Sequence, residues 1–193
     1  FSYTVSKFII IFLYIIINYK FKNMQLTGKQ IIEKGIVTNY CEKGVQQQGI
    51  DVRLKNIYML EEVTRTTVGF VPAEGKTIIP KTRDIADDFW VDNTVRLQPG
   101  YYEVEFEEAC NIPNNMVLNY KTRSSLVRCG AIIHSGQFDA GFKTQNMGAF
   151  LHVIRPIILE KGTRLAQAIV TESYPVDDEN LYDGQWQNDK QRT

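Results

Sequence analysis

The sequence lacks a surplus of charge of either sign. It contains 22 Lys and Arg residues against 22 Asp and Glu residues, so its formal net charge is +0 at pH 7. Proteins that bind the phosphate backbone of nucleic acids usually contain more Lys and Arg than Asp and Glu. The balance therefore argues against nucleic acid as a partner, although a local basic cluster could still bind a small phosphate ligand.

Cysteine is scarce as well, and its spacing excludes the common zinc motifs. The chain has 3 cysteines, Cys41, Cys110 and Cys129, and no two of them have the CxxC spacing of a zinc site. An odd number of widely spaced cysteines favours reduced thiols, as in an intracellular protein, over a disulfide scaffold. We therefore expect a cytoplasmic protein.

The apolar run near the start of the chain is short. Residues 8–17 are almost wholly apolar, whereas a helix needs roughly 20 such residues to cross a bilayer. Lys7 precedes the run, as in a signal peptide, yet no small-residue cleavage site follows it. We expect residues 1–23 to be an upstream translated or poorly ordered extension outside the fold, with Met24 as a natural start of the domain and no membrane partner. A membrane anchor is the alternative.

The residues that follow predict one short helix and then β-structure. Thr27 and Gln30 have the spacing of a capping box, and Gly35 suits the position just after a helix, so we place a helix at about 28–34. Polar and apolar residues then alternate over 51–54, 94–97 and 102–106, as they do in half-buried strands.

Further strands are predicted at 116–120, 131–134, 148–154, 156–160 and 164–172, with turns near 99–100 and 113–115. Many short strands joined by turns indicate an all-β sandwich or barrel. We assign this domain to residues 24–176. The polar stretch 177–193 is then a C-terminal arm, which is either a frayed terminus or a segment that closes over a ligand.

Serines and arginines are concentrated where a predicted strand meets a helical turn. Ser124 is a suitable N-cap and Gly130 a suitable end for that turn. Helix N-termini present free backbone N–H groups, and Ser124 and Ser125 add hydroxyl donors. Arg123 and Arg128 supply guanidinium forks that match phosphate oxygens. The segment predicts a polyphosphate site, with an ordinary N-cap beside two solvated arginines as the alternative.

This segment, residues 120–128, resembles the Gly-Arg-Ser-Ser-Leu-Ala-Arg signature shared by dCTP deaminases, dUTPases and archaeal enzymes that carry out both reactions. Other segments resemble motifs of the same superfamily, in the same order. They are 48–54 (Asp-x-Arg-Leu), 97–100 (the turn before the central strand), 136–143 (Gly-x-Ile-Asp-x-Gly-Phe/Trp), 161–167 (Gly-x-Arg-Ile-x-Gln) and 182–185 (Tyr-x-Gly-Gln). Each motif alone is weak to moderate, but together they identify the chain as a member of the superfamily over nearly all of residues 24–187.

The resemblance implies a dUTPase-like distorted β-barrel or jelly roll with a few short helices, assembled as a homotrimer with active sites between subunits. It implies that Asp139 is the catalytic residue, lying by the deoxyribose 3′-hydroxyl and orienting the attacking water. It also implies that Asp51 helps to hold Mg²⁺ through water. The implied substrate contacts are Arg123, Ser124, Ser125, Arg128, Gln167, Tyr182 and Gln185, the last of which belongs to the closing arm.

Two departures from the family pattern affect the expected reaction. Deaminases use a glutamate as general acid and base, and its position corresponds here to Ala149, whose methyl group cannot transfer protons. No nearby carboxylate is an obvious replacement. The loop between His134 and Asp139 is also two residues shorter than in the archaeal enzymes, where its backbone recognises the base.

We therefore predict a dUTP diphosphatase, built on a dCTP-deaminase-like scaffold, that forms dUMP and pyrophosphate with Mg²⁺. This reaction requires Asp139 but not the missing glutamate. One alternative is a dCTP deaminase, or a bifunctional enzyme, with a displaced acid and base. Another is a nucleotide-binding regulatory protein that has lost its chemistry.

Overall fold

The computed structural model describes residues 24–60, 69–74, 77–80, 82–85, 89–184 and 186–189. The predicted N-terminal extension, residues 1–23, lies outside these ranges, and so does Gln185 of the predicted arm. In the described ranges, no helix combines the length and the apolar character that crossing a bilayer requires. The three cysteines all lie within these ranges, and they form no disulfide.

The described part of the chain contains two short α-helices, α1 (Gly28–Glu33) and α2 (Ser124–Arg128), and a longer series of strands. In chain order the strands are β1 (Val37–Thr38), β2 (Val45–Gln46), β3 (Gly49–Leu60), β4 (Thr82–Asp84), β5 (Thr94–Leu97), β6 (Gly100–Phe106), β7 (Ala109–Asn111), β8 (Met116–Thr122), β9 (Ala131–His134), β10 (Lys143–Thr144), β11 (Gly148–Val153), β12 (Ile157–Glu160) and β13 (Arg164–Glu172). Short 3₁₀ turns lie at Glu42–Gly44, Asp178–Asn180 and Gln187–Asp189.

The strands form a large barrel-like sheet with two smaller sheets. The main path runs β8-β13-β3-β6-β11-β9, and β2 and β4 also pair with β3. Strands β1, β7 and β10 form a second sheet, and β5 pairs with β12 in a third. The pairings with recorded register are antiparallel. The all-β prediction is confirmed, and the alternating stretches 51–54, 94–97 and 102–106 all lie within strands.

The core lies on one face of this sheet and follows the alternation of each strand. On β6, Val104 and Phe106 are fully buried, while Tyr101 on the opposite face is exposed. Central strand β3 is buried at each of its first four residues, because it is flanked by β13 and β6 and covered on both faces. The largest side chains with essentially no exposure include Ile31, Ile36, Ile50, Leu54, Ile57, Phe106, Leu118, Met147, Leu151 and Leu165.

The two helices begin in different ways. Helix α1 has the predicted capping box, in which Thr27 and Gln30 each satisfy a backbone N–H of the other, and Gly35 has a φ of 66° just after the helix. Helix α2, by contrast, begins one residue earlier than predicted. Its N-cap is Arg123, with no side-chain cap hydrogen bond, so the prediction of Ser124 as N-cap is wrong. The extended β8 continues directly to Arg123, which leaves Ser124 inside the first turn.

Candidate active site

A pocket of about 270 Å³ opens between the start of β11, the loop after β9 and the C-terminal arm. Its walls combine aromatic rings with a few polar side chains, which is the usual composition of a site for a small organic ligand. The residues that line it include Glu103, Phe138, Phe142, Asn146, Ala149 and Tyr182.

Three aromatic residues that line the pocket, Phe138, Phe142 and Tyr182, belong to a chain of edge-to-face contacts that continues to Tyr120 behind them. The ring of Tyr120 on β8 lies 5.2 Å from Phe138, Phe138 lies 5.1 Å from Phe142, and Phe142 lies 5.2 Å from Tyr182. These centroid separations are typical of favourable aromatic pairs. The contacts connect a sheet strand, the 136–143 loop and the C-terminal arm in one wall.

The described part of the arm folds back onto this loop. The backbone N–H of Tyr182 donates to the carbonyl of Ala140 at 2.9 Å. The side chain of Gln187 accepts from the N–H of Lys143 at 2.8 Å and donates to the carbonyl of Gly141 at 2.8 Å. Tyr182, a predicted substrate-binding residue, therefore lines the pocket. Gln187 was not identified from the sequence, because it lies beyond the family motif and is connected to the loop only in three dimensions.

Asp139, the predicted catalytic residue, is an exposed carboxylate next to the pocket wall formed by Phe138. Its Oδ1 accepts a hydrogen bond from Nε2 of Gln137 at 2.9 Å. The partner belongs to the same loop, so this contact by itself is also what an ordinary turn carboxylate would make. Its position at the rim nevertheless lets the carboxylate meet a water and a ligand from solvent.

A second charged group lies at the end of β8. Asp51 is almost fully buried, and its Oδ2 lies 3.2 Å from Nε of Arg123 and 3.1 Å from Nη1 of Arg164. Burial raises the pKa of the Asp51 carboxyl above its ordinary value, although both guanidinium groups act to lower it. Arg123 also donates from Nη1 to the carbonyl of Arg164 at 3.2 Å. Asp51 therefore holds two arginines together, and Arg164 joins the predicted site.

The other predicted phosphate contacts surround this arginine pair. Gln167 on β13 is paired in register with Asp51 on β3 and with Lys121 on β8. Ser124, Ser125 and Arg128 in α2 are exposed to solvent. The segment thus presents two hydroxyl groups and a guanidinium group on the surface next to the arginine pair, as a site for a polyanion requires.

The described residues do not fit a magnesium ion held by the protein alone. No group of three or more His, Cys, Asp and Glu side chains in these ranges is placed to hold a metal. The Asp51 carboxylate predicted to hold Mg²⁺ through water instead contacts two cationic guanidinium groups, which repel a dication. Mg²⁺ prefers a shell of water and phosphate oxygens, and the arginine cluster offers neither.

The Asp139 loop and the arginine pair adjoin different parts of β8. Phe138 is bridged to Leu118 through two backbone hydrogen bonds, whereas Arg123 follows β8 five residues further along. At a strand rise of about 3.3 Å per residue, Leu118 and Arg123 are about 16 Å apart along β8. In the described residues no hydrogen bond or ion pair joins Asp139 to Asp51, Arg123 or Arg164.

One carboxylate that the sequence did not reveal lies in the pocket. Ala149, at the position of the deaminase glutamate, lines the pocket together with Glu103. Glu103 lies on β6 opposite Phe150 of β11, so it occupies the strand next to Ala149. Ala149 pairs with Val104, so the Glu103 and Ala149 side chains leave opposite faces of the sheet although both residues line the pocket.

A model of the dCTP deaminase-like family matches residues 23–173 of the chain. The chain belongs to this family. The match includes the arginine segment, the Asp139 loop and the start of β11, and it ends before the arm.

Curated relatives point in the same direction. A probable deoxyuridine 5′-triphosphate nucleotidohydrolase of Halobacterium salinarum is 32% identical over 151 residues, which cover 77% of this family member and 86% of the relative. A relative of the same name from Aeropyrum pernix is 31% identical over 169 residues, 86% of this chain and 99% of the relative.

The fold is also similar to a solved structure. The crystal structure of 2′-deoxycytidine 5′-triphosphate deaminase from Agrobacterium tumefaciens superposes with a TM-score of 0.55 at 17% sequence identity. The match covers 79% of this chain and 49% of the deaminase chain, so the dCTP deaminase-like protein spans about half of that structure. At this identity the similarity supports the dUTPase-like fold alone.

Proposed function

We propose that this dCTP deaminase-like protein is a dUTP diphosphatase. The observation that carries the proposal is the combination of an aromatic pocket, a carboxylate at its rim and a separate cluster of arginines and serines. The three features correspond to the base, the sugar with its attacking water, and the triphosphate. The names of the curated relatives describe the same reaction.

Asp139 carries the hydrolytic step in this proposal. Its carboxylate orients a water molecule and accepts its proton, while the bond between the α-phosphate and the bridging oxygen to the β-phosphate breaks. The products are dUMP and pyrophosphate, and one water is consumed. The Gln137 amide holds one carboxylate oxygen at 2.9 Å, which leaves the other to meet the water.

The triphosphate site consists of three arginines, two serines and one glutamine: Arg123, Arg128, Arg164, Ser124, Ser125 and Gln167. Fixed cationic donors stabilise the charge that develops on the phosphate oxygens during hydrolysis. Asp51 positions Arg123 and Arg164 through its buried carboxylate. The Asp51 carboxylate is largely shielded from solvent, while each arginine side chain stays about one third exposed, so water screens both ion pairs only partly.

A neighbouring copy completes each site. About 16 Å of β8 separates Leu118, to which the Asp139 loop is hydrogen-bonded through Phe138, from Arg123 of the same chain. A cyclic homotrimer, in which the Asp139 loop of one copy approaches the arginine cluster of the next, would join the two halves. Mg²⁺ would enter with the nucleotide and would neutralise part of the phosphate charge.

The test is an assay of the purified protein with each deoxynucleoside triphosphate, with and without Mg²⁺, that follows pyrophosphate and ammonia separately. We expect pyrophosphate from dUTP and no ammonia from dCTP. Tight nucleotide binding without turnover of any substrate would refute the enzyme and favour a regulatory nucleotide-binding protein.

One observation favours a second candidate, deamination of dCTP. Glu103 lines the same pocket as Ala149 from the neighbouring strand, so a carboxylate is present even though the family glutamate is missing. Such a group could activate water and protonate the ring nitrogen. Ammonia release from dCTP that disappears in Glu103→Gln would establish this reaction. Ammonia release that persists in Glu103→Gln would exclude Glu103 as its acid and base.

A further inference from the structure

We propose that Asn146 selects uracil over cytosine, because Lys55 holds its side-chain amide with the NH₂ group directed away from Lys55 and available to the pocket. This inference rests on the proposed function, since it assigns the pocket to the pyrimidine base. It adds a specificity residue that lies outside every motif recognised in the sequence.

The backbone at Asn146 is fixed by a neighbour. The hydroxyl of Thr144, a residue 5% exposed, donates to the carbonyl of Asn146 at 2.9 Å and accepts from its N–H at 3.3 Å. Such reciprocal local hydrogen bonds stabilise a tight turn. The turn precedes β11, whose first residues line the same pocket.

The orientation of the amide is fixed by Lys55. The ammonium group of Lys55 donates to Oδ1 of Asn146 at 2.9 Å. A lysine ammonium has three donors and no acceptor, so only the amide oxygen can face it. The alternative amide orientation would place NH₂ against NH₃⁺ and is excluded.

The ammonium group of Lys55 is itself held by a carboxylate, that of Glu105. Its ammonium lies 3.5 Å from Oε1 of Glu105, a residue 6% exposed, and Tyr58 donates its hydroxyl to Oε2 of Glu105 at 2.9 Å. The side chains of Lys55, Tyr58 and Glu105 come from adjacent strands β3 and β6. A lysine held by a mostly buried carboxylate moves little, so the amide it orients is preorganised before a ligand binds.

The remaining half of the Asn146 amide is a donor group. In the described residues no acceptor lies within hydrogen-bonding distance of its Nδ2, whereas its Oδ1 is occupied. Asn146 itself lines the pocket. A pocket donor of this kind matches the 4-carbonyl of uracil, which is an acceptor, and opposes the 4-amino group of cytosine, which is a donor.

The experiment measures kcat/KM for pyrophosphate release from dUTP and from dCTP, and affinity for the non-hydrolysable α,β-imido analogues of both, by calorimetry. Asn146→Asp replaces the donor with an acceptor. Lys55→Met removes the group that orients the amide. We expect both variants to lower the ratio of kcat/KM for dUTP to kcat/KM for dCTP at least tenfold, and the ratio of the two analogue affinities likewise. A mismatched polar contact in a binding site typically changes discrimination by about this much.

Gln145→Glu is the matched control, because it makes the same amide-to-carboxylate change at an exposed neighbour outside the pocket lining. Its ratio should equal that of the unmodified protein. If Asn146→Asp does not fold, Asn146→Ala removes the donor without adding charge and should also lower the ratio.

The outcomes separate the inference from the proposed function. A folded Asn146→Asp or Asn146→Ala protein with an unchanged ratio overturns the inference, even if dUTP hydrolysis is normal. An unmodified protein that hydrolyses neither substrate overturns the proposed function, and the binding ratio for the two analogues still decides whether Asn146 selects the base.

Discussion

The side-chain carboxylate of Asp139 accepts one hydrogen bond in the described residues, from Gln137, and Asp139 follows Phe138 of the pocket in which we place the nucleoside. Within the isolated chain that contact is compatible with a simple turn. A catalytic role therefore depends on a property that the turn does not need, namely the negative charge of the carboxylate.

Asp139→Asn should lower pyrophosphate release from dUTP by about 10²–10⁴-fold while leaving nucleotide affinity nearly unchanged, because the amide keeps the shape but cannot accept the proton of water. Steady-state kinetics and calorimetry measure the two quantities. Asp178→Asn, an exposed change of the same kind in the arm, should retain full activity. Equal activity of both variants would assign Asp139 to its turn alone.

Arg128 tests the phosphate site at the same scale. It is the last residue of α2 and is exposed in the isolated chain. Arg128→Ala should weaken binding of a deoxynucleoside triphosphate by about 1.5–3 kcal/mol, the usual contribution of a charge-assisted hydrogen bond. Arg96→Ala, an exposed arginine on β5, should have no effect. Unchanged affinity by calorimetry would mean that Arg128 is only a solvated side chain.

Among the larger elements, the C-terminal arm depends on one glycine in the loop beneath it. Gly141 has a φ of 87°, and a Cβ at this position would lie 2.8 Å from Cβ of Leu181 and 3.2 Å from the backbone N of Tyr182. Only a residue without a side chain allows the arm to approach this closely. The arm carries Tyr182 and Trp186 into the pocket wall.

Gly141→Ala should therefore displace the arm, weaken nucleotide binding several-fold and expose the arm to limited proteolysis. Gly162→Ala is the matched control, because Gly162 also has a positive φ, of 80°, but nothing lies within 4 Å of its added Cβ. Both variants incur a similar backbone strain, so both melting temperatures should fall, and that of Gly141→Ala should fall further because it also loses the contacts of the arm. If the C-terminal arm is cleaved at the same rate in Gly141→Ala and in Gly162→Ala, the contact between residue 141 and Leu181 does not control how the arm docks.

For the whole molecule, the decisive question is whether one chain contains a complete site. The separation of Asp139 from Arg123 along β8 predicts that it does not. Arg123→Ala and Asp139→Asn should each be nearly inactive, but equal mixing after dissociation and reassembly should restore about one quarter of normal activity. About three quarters of the trimers are then mixed, and each mixed trimer has one intact site among three.

No recovery in the mixture would place both groups in the same chain. Light scattering of the unmodified protein provides the accompanying control, because a monomer at micromolar concentration would remove the shared site altogether. Unmixed variants passed through the same dissociation and reassembly should stay inactive, which excludes reactivation by the procedure itself.

The sequence by itself determined the features that depend on local order. The alternation over 94–97 and 102–106 predicted β5 and the outer part of β6, because side chains on a strand alternate between faces. The Thr27 capping box and the positions of Gly35 and Gly130 predicted where helices begin and end. The motif order along the chain predicted the family, and with it the positions of Asp139 and the arginine segment.

Only the tertiary structure decided which residues meet. Arg164 joins Arg123 on Asp51, Glu103 lines the same pocket as Ala149, and Lys55 orients an amide 91 residues away. Each of these contacts depends on the register in which two or more strands pair. That register results from long-range packing of the whole barrel, because a shift of one residue reverses the face of every side chain, and no local pattern in the sequence specifies it.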